Sequence, residues 1–167
     1  RGRGYPGEQA KKRRVGYTYL HAAVDDHSRV AYVEALDDET AATLVGFWGR
    51  AQDWFWSKGM IIDEVMSDNG SNFRSRIFAQ ALATRAIRHI RTRPYQPQAN
   101  GKVERFNRTM ADEFLYAFTF RSENERRRRL DRWVHDYNHH RNHTAVGGPP
   151  ATRVHRSEEH TSELQSQ

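Results

Sequence analysis

An α/β fold built on a mixed sheet is predicted for this chain by three observations. Runs rich in aromatic and β-branched residues, such as 15–24, 29–36 and 61–66, alternate with stretches whose apolar residues recur at helical spacing. The resulting order, β-β-α-β-α-β-α-α, is an α/β pattern and contains no internal repeat. At 167 residues, with 37% hydrophobic content, the chain suits one domain with a sizeable core.

The elements follow from local chemistry. Val15 to Val24 reads as a strand, Asp25-Asp26-His27-Ser28 as a turn, and Arg29 to Leu36 as the returning strand, so residues 15–36 form a hairpin. Asp37-Asp38-Glu39-Thr40 is a helix-start cluster, with Asp38 expected as the cap. The helix runs to about Ser57 on a stripe of Leu44, Phe47, Trp48, Ala51 and Phe55, and Lys58-Gly59 ends it. Residues 61–66 make the next strand. A helix from Asn72 to about Thr84 is expected to bury Ile77, Phe78, Ala81 and Leu82, and residues 87–90 form a short edge-like strand. Residues 92–100 hold two prolines and read as a loop. From Gly101 to about Phe118, the residues Val103, Phe106, Met110, Phe114 and Phe118 make one apolar stripe. A last helix from about Glu123 to His140 turns Leu130, Trp133, Val134 and Tyr137 inward.

Composition narrows the function. Net charge is +6 and the sequence pI about 9.9, a balance that suits a polyanion partner. The chain has no cysteine, which excludes disulfides, thiolate catalysis and cysteine-based zinc sites. No apolar run approaches the ~20 residues of a membrane span. No secretory signal is present, and the cytoplasm is the expected location.

Residues 67–108 carry the chemistry. Ser67-Asp68-Asn69-Gly70-Ser71-Asn72-Phe73 places a carboxylate where a strand runs into a turn. Separated from it by thirty-five residues, Glu104 lies in the first turns of a helix, inside Arg93-Pro94-Tyr95-Gln96-Pro97-Gln98-Ala99-Asn100-Gly101-Lys102-Val103-Glu104-Arg105-Phe106-Asn107-Arg108. A strand-end and a helix carboxylate facing one cleft are what a divalent-metal phosphoryl-transfer site requires. Alone, Asp68 would be a turn residue, and Glu104 with Arg108 an exposed ion pair. The joint pattern resembles the second and third acids of the retroviral-integrase-like catalytic core. It is closer still to DDE-type transposases of bacterial insertion sequences, over most of residues 15–150.

That resemblance implies an RNase-H-like fold with flanking helices and metal-dependent strand transfer of DNA. Asp68 and Glu104 would be the catalytic carboxylates and ligands of Mg²⁺ or Mn²⁺, two hard ions that take oxygen ligands. Asn69, Tyr95, Gln98, Lys102, Arg105, Asn107 and Arg108 would contact DNA, with Arg91 and Arg93 as further basic neighbours. The implied partners are transposon ends and target DNA, with a homo-oligomer in the complete parent, no membrane, and a bacterial, nucleoid-associated location. Asp25 and Asp26 occupy a place the family fills with turn residues, without a metal role. His139 and His143 have zinc-like spacing but no cysteine partner, and are read as helix-end packing. Of the clusters Lys11 to Arg14 and Arg126 to Arg129, the second wraps all faces of a helix, so half of it is expected to be solvated.

The two ends depart from this pattern. Residues 1–14 read as a basic, Gly-rich loop remnant, and 15–155 as the core fragment. In the resembled family a central first strand bearing the first of three acids precedes this region, and no such strand is evident. Residues 156–167 form a separate tail, in which 156–166 resemble an in-frame translation of a sequencing-library adapter. Without residues 156–166, 26 basic and 18 acidic residues leave +8. The chain itself is therefore expected to be inactive. An RNase-H-like nuclease and a non-catalytic nucleic-acid-binding remnant are the alternatives.

Overall fold

The computed structural model describes residues 18–92, 101–145 and 147–154. The basic segment 1–14, the C-terminal tail, Arg93, Tyr95 and Gln98 lie outside the described residues.

The hairpin forms as expected. Strand β1 (Tyr19–Val24) pairs antiparallel with β2 (Ala31–Leu36), in a register running from Tyr19 opposite Leu36 to Val24 opposite Ala31. Its turn is held by Asp25, whose Oδ2 accepts from the Ser28 amide at 2.6 Å and the Ser28 hydroxyl at 2.7 Å. Arg29 takes the left-handed conformation (φ 70°) that returns the chain. Because side chains alternate along a strand, the hairpin feeds two cores. Ala31, Val33 and Ala35 face one of them, with Leu20, Ala22 and Val24 from β1. Ala23, Tyr32 and Leu36 face the other.

The second core is covered by α1 (Ala41–Ser57) and α2 (Arg76–Ala83), through Leu44, Phe47, Trp48, Ala51, Phe78 and Leu82. The cap of α1 is Thr40 rather than Asp38. Its side chain accepts from the Thr43 amide, while the Asp38 carboxylate accepts from the Thr40 amide one step earlier. Lys58 and Gly59 (φ 77°) end the helix. Helix α2 begins later than its sequence suggests, because Ser75 caps it and residues 71–74 are spent on turns. Ile77 falls on the outer face and is 47% exposed.

Strand β3 (Glu64–Ser67) pairs in parallel with β4 (Arg88–Arg91), α2 serving as the crossover. Among the described residues the two strand pairs make separate two-stranded sheets. Between them lies a cavity of about 650 Å³, lined by residues 20–26 along β1 and 64–68 along β3, with Phe47, Trp48 and Phe78 among the apolar side chains.

The first core is closed by α3 (Gly101–Met110) and α4 (Glu123–His139), which contribute Phe106, Met110, Leu130 and Tyr137. The helical stripe from Val103 does not continue regularly to Phe118. After Met110 the chain makes one π turn, Ala111–Leu115, closed by the Tyr116 amide on the Ala111 carbonyl at 2.9 Å. Phe114 is fully buried, whereas Phe118 lies past the end of this helical segment at 45% exposure, under the Arg129 guanidinium. The hairpin is thus sandwiched between α1/α2 and α3/α4.

Candidate active site

Asp68 directly follows the last residue of β3, at the strand end the sequence indicated. One carboxylate oxygen, Oδ1, accepts from the Gly70 amide at 2.8 Å, an Asx turn that fixes the side chain against its own loop. A side chain at position 70 would crowd the carboxylate: a Cβ there would stand 3.0 Å from Asp68 Oδ1. The loop is tied on both sides. Asn69 Nδ2 donates to the Thr92 carbonyl at 2.6 Å, and Asn72 Nδ2 donates to the Glu39 carbonyl.

A support behind Asp68 was not legible in the motifs. Ser67, 5% exposed, donates from Oγ to the Asp68 carbonyl, and the same oxygen lies 2.9 Å from His89 Nε2. The parallel register sets Val65 opposite His89 and Ser67 opposite Arg91, which brings His89 beside Ser67. The His89 ring packs edge-on against Phe78. Burial, with the nearby Arg91 charge, holds its pKa below the usual histidine value. The signal that could have found it is the period-2 pairing of two short strands, which requires knowing that they are neighbours.

Helix α3 supplies the other wall. Val103 and Asn107, one helical turn apart, line the cavity together with Asp68. Glu104, adjacent to Val103, is exposed and is not among the lining residues; it makes no ion pair with Arg108 among the described residues. Arg105 and Arg108 are exposed and likewise carry no ion pair there. Lys102 differs. Its ammonium is paired with Asp26 of the hairpin turn, which binds the start of α3 to β1. Asp25 and Asp26 are therefore engaged in structure, Asp25 with Ser28 and Asp26 with Lys102 and Arg29. The arginine run of α4 is largely neutralised: Arg126 and Arg127 pair with Glu123, Arg127 also with Asp37, and Arg129 with Glu125. His143 is committed to packing, with its ring edge-on to Tyr137 and its backbone bridged to Gly148.

A mixed α/β core of a hairpin and a parallel strand pair, flanked by helices, has the RNase-H-like fold. The integrase core domain model matches residues 7–97, and a second integrase core domain model matches residues 85–150. The chain belongs to the integrase core domain family. It is 32% identical over 100 residues to the retrovirus-related Pol polyprotein of a Nicotiana tabacum transposon, covering 59% of this chain and 7% of that protein. It is 36% identical over 88 residues to a protein of insertion element IS476 from Xanthomonas euvesicatoria, covering 52% of this chain and 25% of that one. The chain thus spans a quarter or less of these two relatives. Among solved structures, the catalytic core domain of BIV integrase superposes with a TM-score of 0.66 at 21% identity, over 87% of this chain and 90% of that one. The HTLV-2 integrase catalytic core in complex with magnesium, in its trimeric form, gives 0.64 at 19% identity, over 83% and 85%. Among the described residues, no helix is long and apolar enough to cross a membrane.

Proposed function

We propose that this chain is the catalytic-core portion of a DDE-type transposase whose intact form carries out metal-dependent strand transfer of DNA. The observation that carries the reading is the shared cavity. Asp68 from the end of β3 and the Val103/Asn107 face of α3 line the same space, with Glu104 next to Val103 in the first turn of α3. Asp68 spends one oxygen on Gly70, which leaves the carboxylate capacity to accept further ligands. An all-oxygen donor set of this kind fits Mg²⁺ or Mn²⁺, held by Asp68 and Glu104. When bound, such ions activate an attacking oxygen and stabilise a leaving one.

The chain's own residues have three tasks. Gly70, Asn69 and Ser67 hold the Asp68 loop so that its carboxylate keeps one orientation. The Lys102–Asp26 pair fixes where α3 starts, and with it the height of Glu104. Arg105, Arg108 and Arg91, without ion pairs among the described residues, offer cations for the phosphate backbone; Asn69, Asn107, Tyr95 and Gln98 are the polar candidates beside them. The parent would act on transposon ends and target DNA as a homo-oligomer, at the nucleoid of a bacterial cytoplasm.

The chain as it stands is expected to lack strand-transfer activity, since two of three family acids are present and Asp25 and Asp26 are committed to the hairpin turn. The test is strand transfer with Mg²⁺ or Mn²⁺ on a cognate end, for this chain and for one extended upstream with a strand-borne Asp. Activity in the extended chain, lost in Asp68→Asn and Glu104→Gln, is the expected result. Turnover by the present chain that depends on Asp25 or Asp26 would overturn it.

A further inference from the structure

We infer that the C-terminal end of α4 holds a transition-metal site made of His135, Asp136 and His140, separate from the oxygen-ligand site at Asp68. The zinc-like spacing in the sequence is that of His139 and His143, but His143 is folded away onto Tyr137. The residues that converge are others. The helix ends at His139, and the His140 and Arg141 amides both donate to the Asp136 carbonyl, at 2.9 and 2.8 Å. This tight turn folds His140 back over the last helical turn, with its ring 5.2 Å from that of His135. The two Nε2 atoms come to 3.3 Å. Two nitrogens of a tetrahedral zinc ion, each at about 2.0–2.1 Å from the metal, lie roughly 3.3–3.4 Å apart. The separation thus equals the edge of a zinc tetrahedron.

A hydrogen bond between two imidazoles would give the same distance, but it would not call for a carboxylate. Here one ligand atom from each of His135, Asp136 and His140 lies within 4.8 Å of the other two. All three side chains are exposed, so the Asp136 carboxylate is free to close the remaining distance. Two imidazoles and one carboxylate select Zn²⁺ or a neighbouring first-row ion over Mg²⁺, and three protein ligands leave one position to water. The consequence for the fold is direct. Asn138, between these ligands in sequence, is the residue that fastens α4 to β2. A metal that clamps His140 onto His135 stiffens the turn on either side of it.

The test is titration of the full 167-residue chain with ZnCl₂ in excess Mg²⁺, followed by calorimetry, with Co²⁺ absorption reporting coordination. One saturable site in the micromolar range is expected, together with a Co²⁺ d–d band and a melting temperature raised by Zn²⁺. His135→Ala and His140→Ala should each weaken that site at least about tenfold and abolish the band, and Asp136→Asn should weaken it less. These residues are exposed, so far-ultraviolet circular dichroism should report an unchanged fold. Zinc binding that is equal in wild type and both histidine variants would overturn the site, as would the absence of saturable binding in the wild type. A histidine variant that loses its fold is replaced in the comparison by Asp136→Asn, whose unchanged affinity and unchanged Co²⁺ band would equally overturn it.

Discussion

The side chain of Asn138 on α4 is hydrogen-bonded to both backbone groups of Ala31 on β2: its Oδ1 accepts from the Ala31 amide at 2.9 Å and its Nδ2 donates to the Ala31 carbonyl at 2.8 Å. Ala31 is fully buried and Asn138 only 2% exposed, so water cannot replace either bond. An amide side chain thus does at this edge what a further strand residue would do, and it spans 107 residues of sequence. Asn138→Leu should leave a buried donor and a buried acceptor unpaired, costing about 2–4 kcal/mol and lowering the melting temperature by roughly 5–15 °C. Asn138→Asp should fare no better, since a carboxylate cannot donate to the Ala31 carbonyl. Thermal denaturation of the three proteins decides; a loss below about 1 kcal/mol in both variants would show that the pair is not holding α4 to the hairpin.

Gly70 tests whether the Asp68 carboxylate needs its present orientation. In Gly70→Ala, the new Cβ must push against Asp68 Oδ1 at 3.0 Å, with Phe73 Cδ2 behind it at 3.5 Å. The carboxylate is exposed and can swing away, so stability should change by less than about 1 kcal/mol. Mn²⁺ affinity should fall, and in an upstream-extended chain strand transfer should fall further, about tenfold or more, because the ligand is displaced rather than removed. Unchanged Mn²⁺ affinity would mean that the Asx turn has no part in the site.

DNA affinity should rest on Arg105 and Arg108 more than on Lys102. The two arginines are exposed without ion pairs among the described residues, whereas Lys102 already neutralises Asp26. Arg105→Glu with Arg108→Glu should therefore cost most of the binding, and Lys102→Glu should act chiefly by repelling Asp26 and loosening α3. Affinity should fall steeply with salt, with a slope of about −0.9 per phosphate contacted, and become shallower in the double variant. Fluorescence anisotropy at several salt concentrations reads both quantities. A binding constant indifferent to salt and to both arginines would remove the DNA interface from this face.

Stability should decline as pH falls through the histidine range. Burial, more than the neighbouring arginine charges, holds both His89 and His143 below their ordinary value, so each stays neutral in the fold longer than in the unfolded chain. The unfolded chain then binds more protons, and stability is full above its histidine pKa of about 6.5 and lost progressively as pH drops below that towards the folded values. His89→Gln should flatten part of this dependence while keeping a hydrogen-bonding group beside Ser67. Denaturant melts between about pH 5 and 8 measure it; a slope untouched by His89→Gln would assign the effect elsewhere.

The comparison of sequence with structure turns on range. The Asp68 turn, the Gly101 start of α3 and the hairpin of β1 and β2 were legible because each is decided within a few residues. Thr40 displaced Asp38 as cap because the helix begins two residues later than a cap at Asp38 would start it, and both side chains are competent acceptors. Phe118 left its stripe because the helical segment closes in a π turn and ends at Leu115, three residues short of it, and no local residue announces that end. The Ser67–His89 support, the Lys102–Asp26 pair and the Asn138–Ala31 bonds were not legible at all, since each joins segments 22, 76 and 107 residues apart.

The two separate sheets define the last prediction. Strands β1 and β3 each have one partner among the described residues, and both line the same cavity. Strand edges that face a cavity leave backbone donors and acceptors without strand partners, which weakens the fold and invites pairing with other chains. Trp48, 6% exposed and part of the cavity wall, buries an indole N–H that has no hydrogen-bond partner among the described residues. The two halves share one apolar cluster, in which Leu44, Phe47 and Trp48 of α1 and Phe78 and Leu82 of α2 pack with Ala23 of β1 and Val65 of β3. The expectation drawn from the family resemblance is a central strand between these edges, which would pair with both and offer carbonyls to the cavity wall. Extending the chain upstream by such a strand should raise the melting temperature by several degrees, because a few kcal/mol is a large part of a total of roughly 5–15. It should also reduce aggregation at equal concentration, read by light scattering. If the present and extended chains melt cooperatively at one temperature and scatter alike, the cavity is not a strand site and the sheets are complete as they stand.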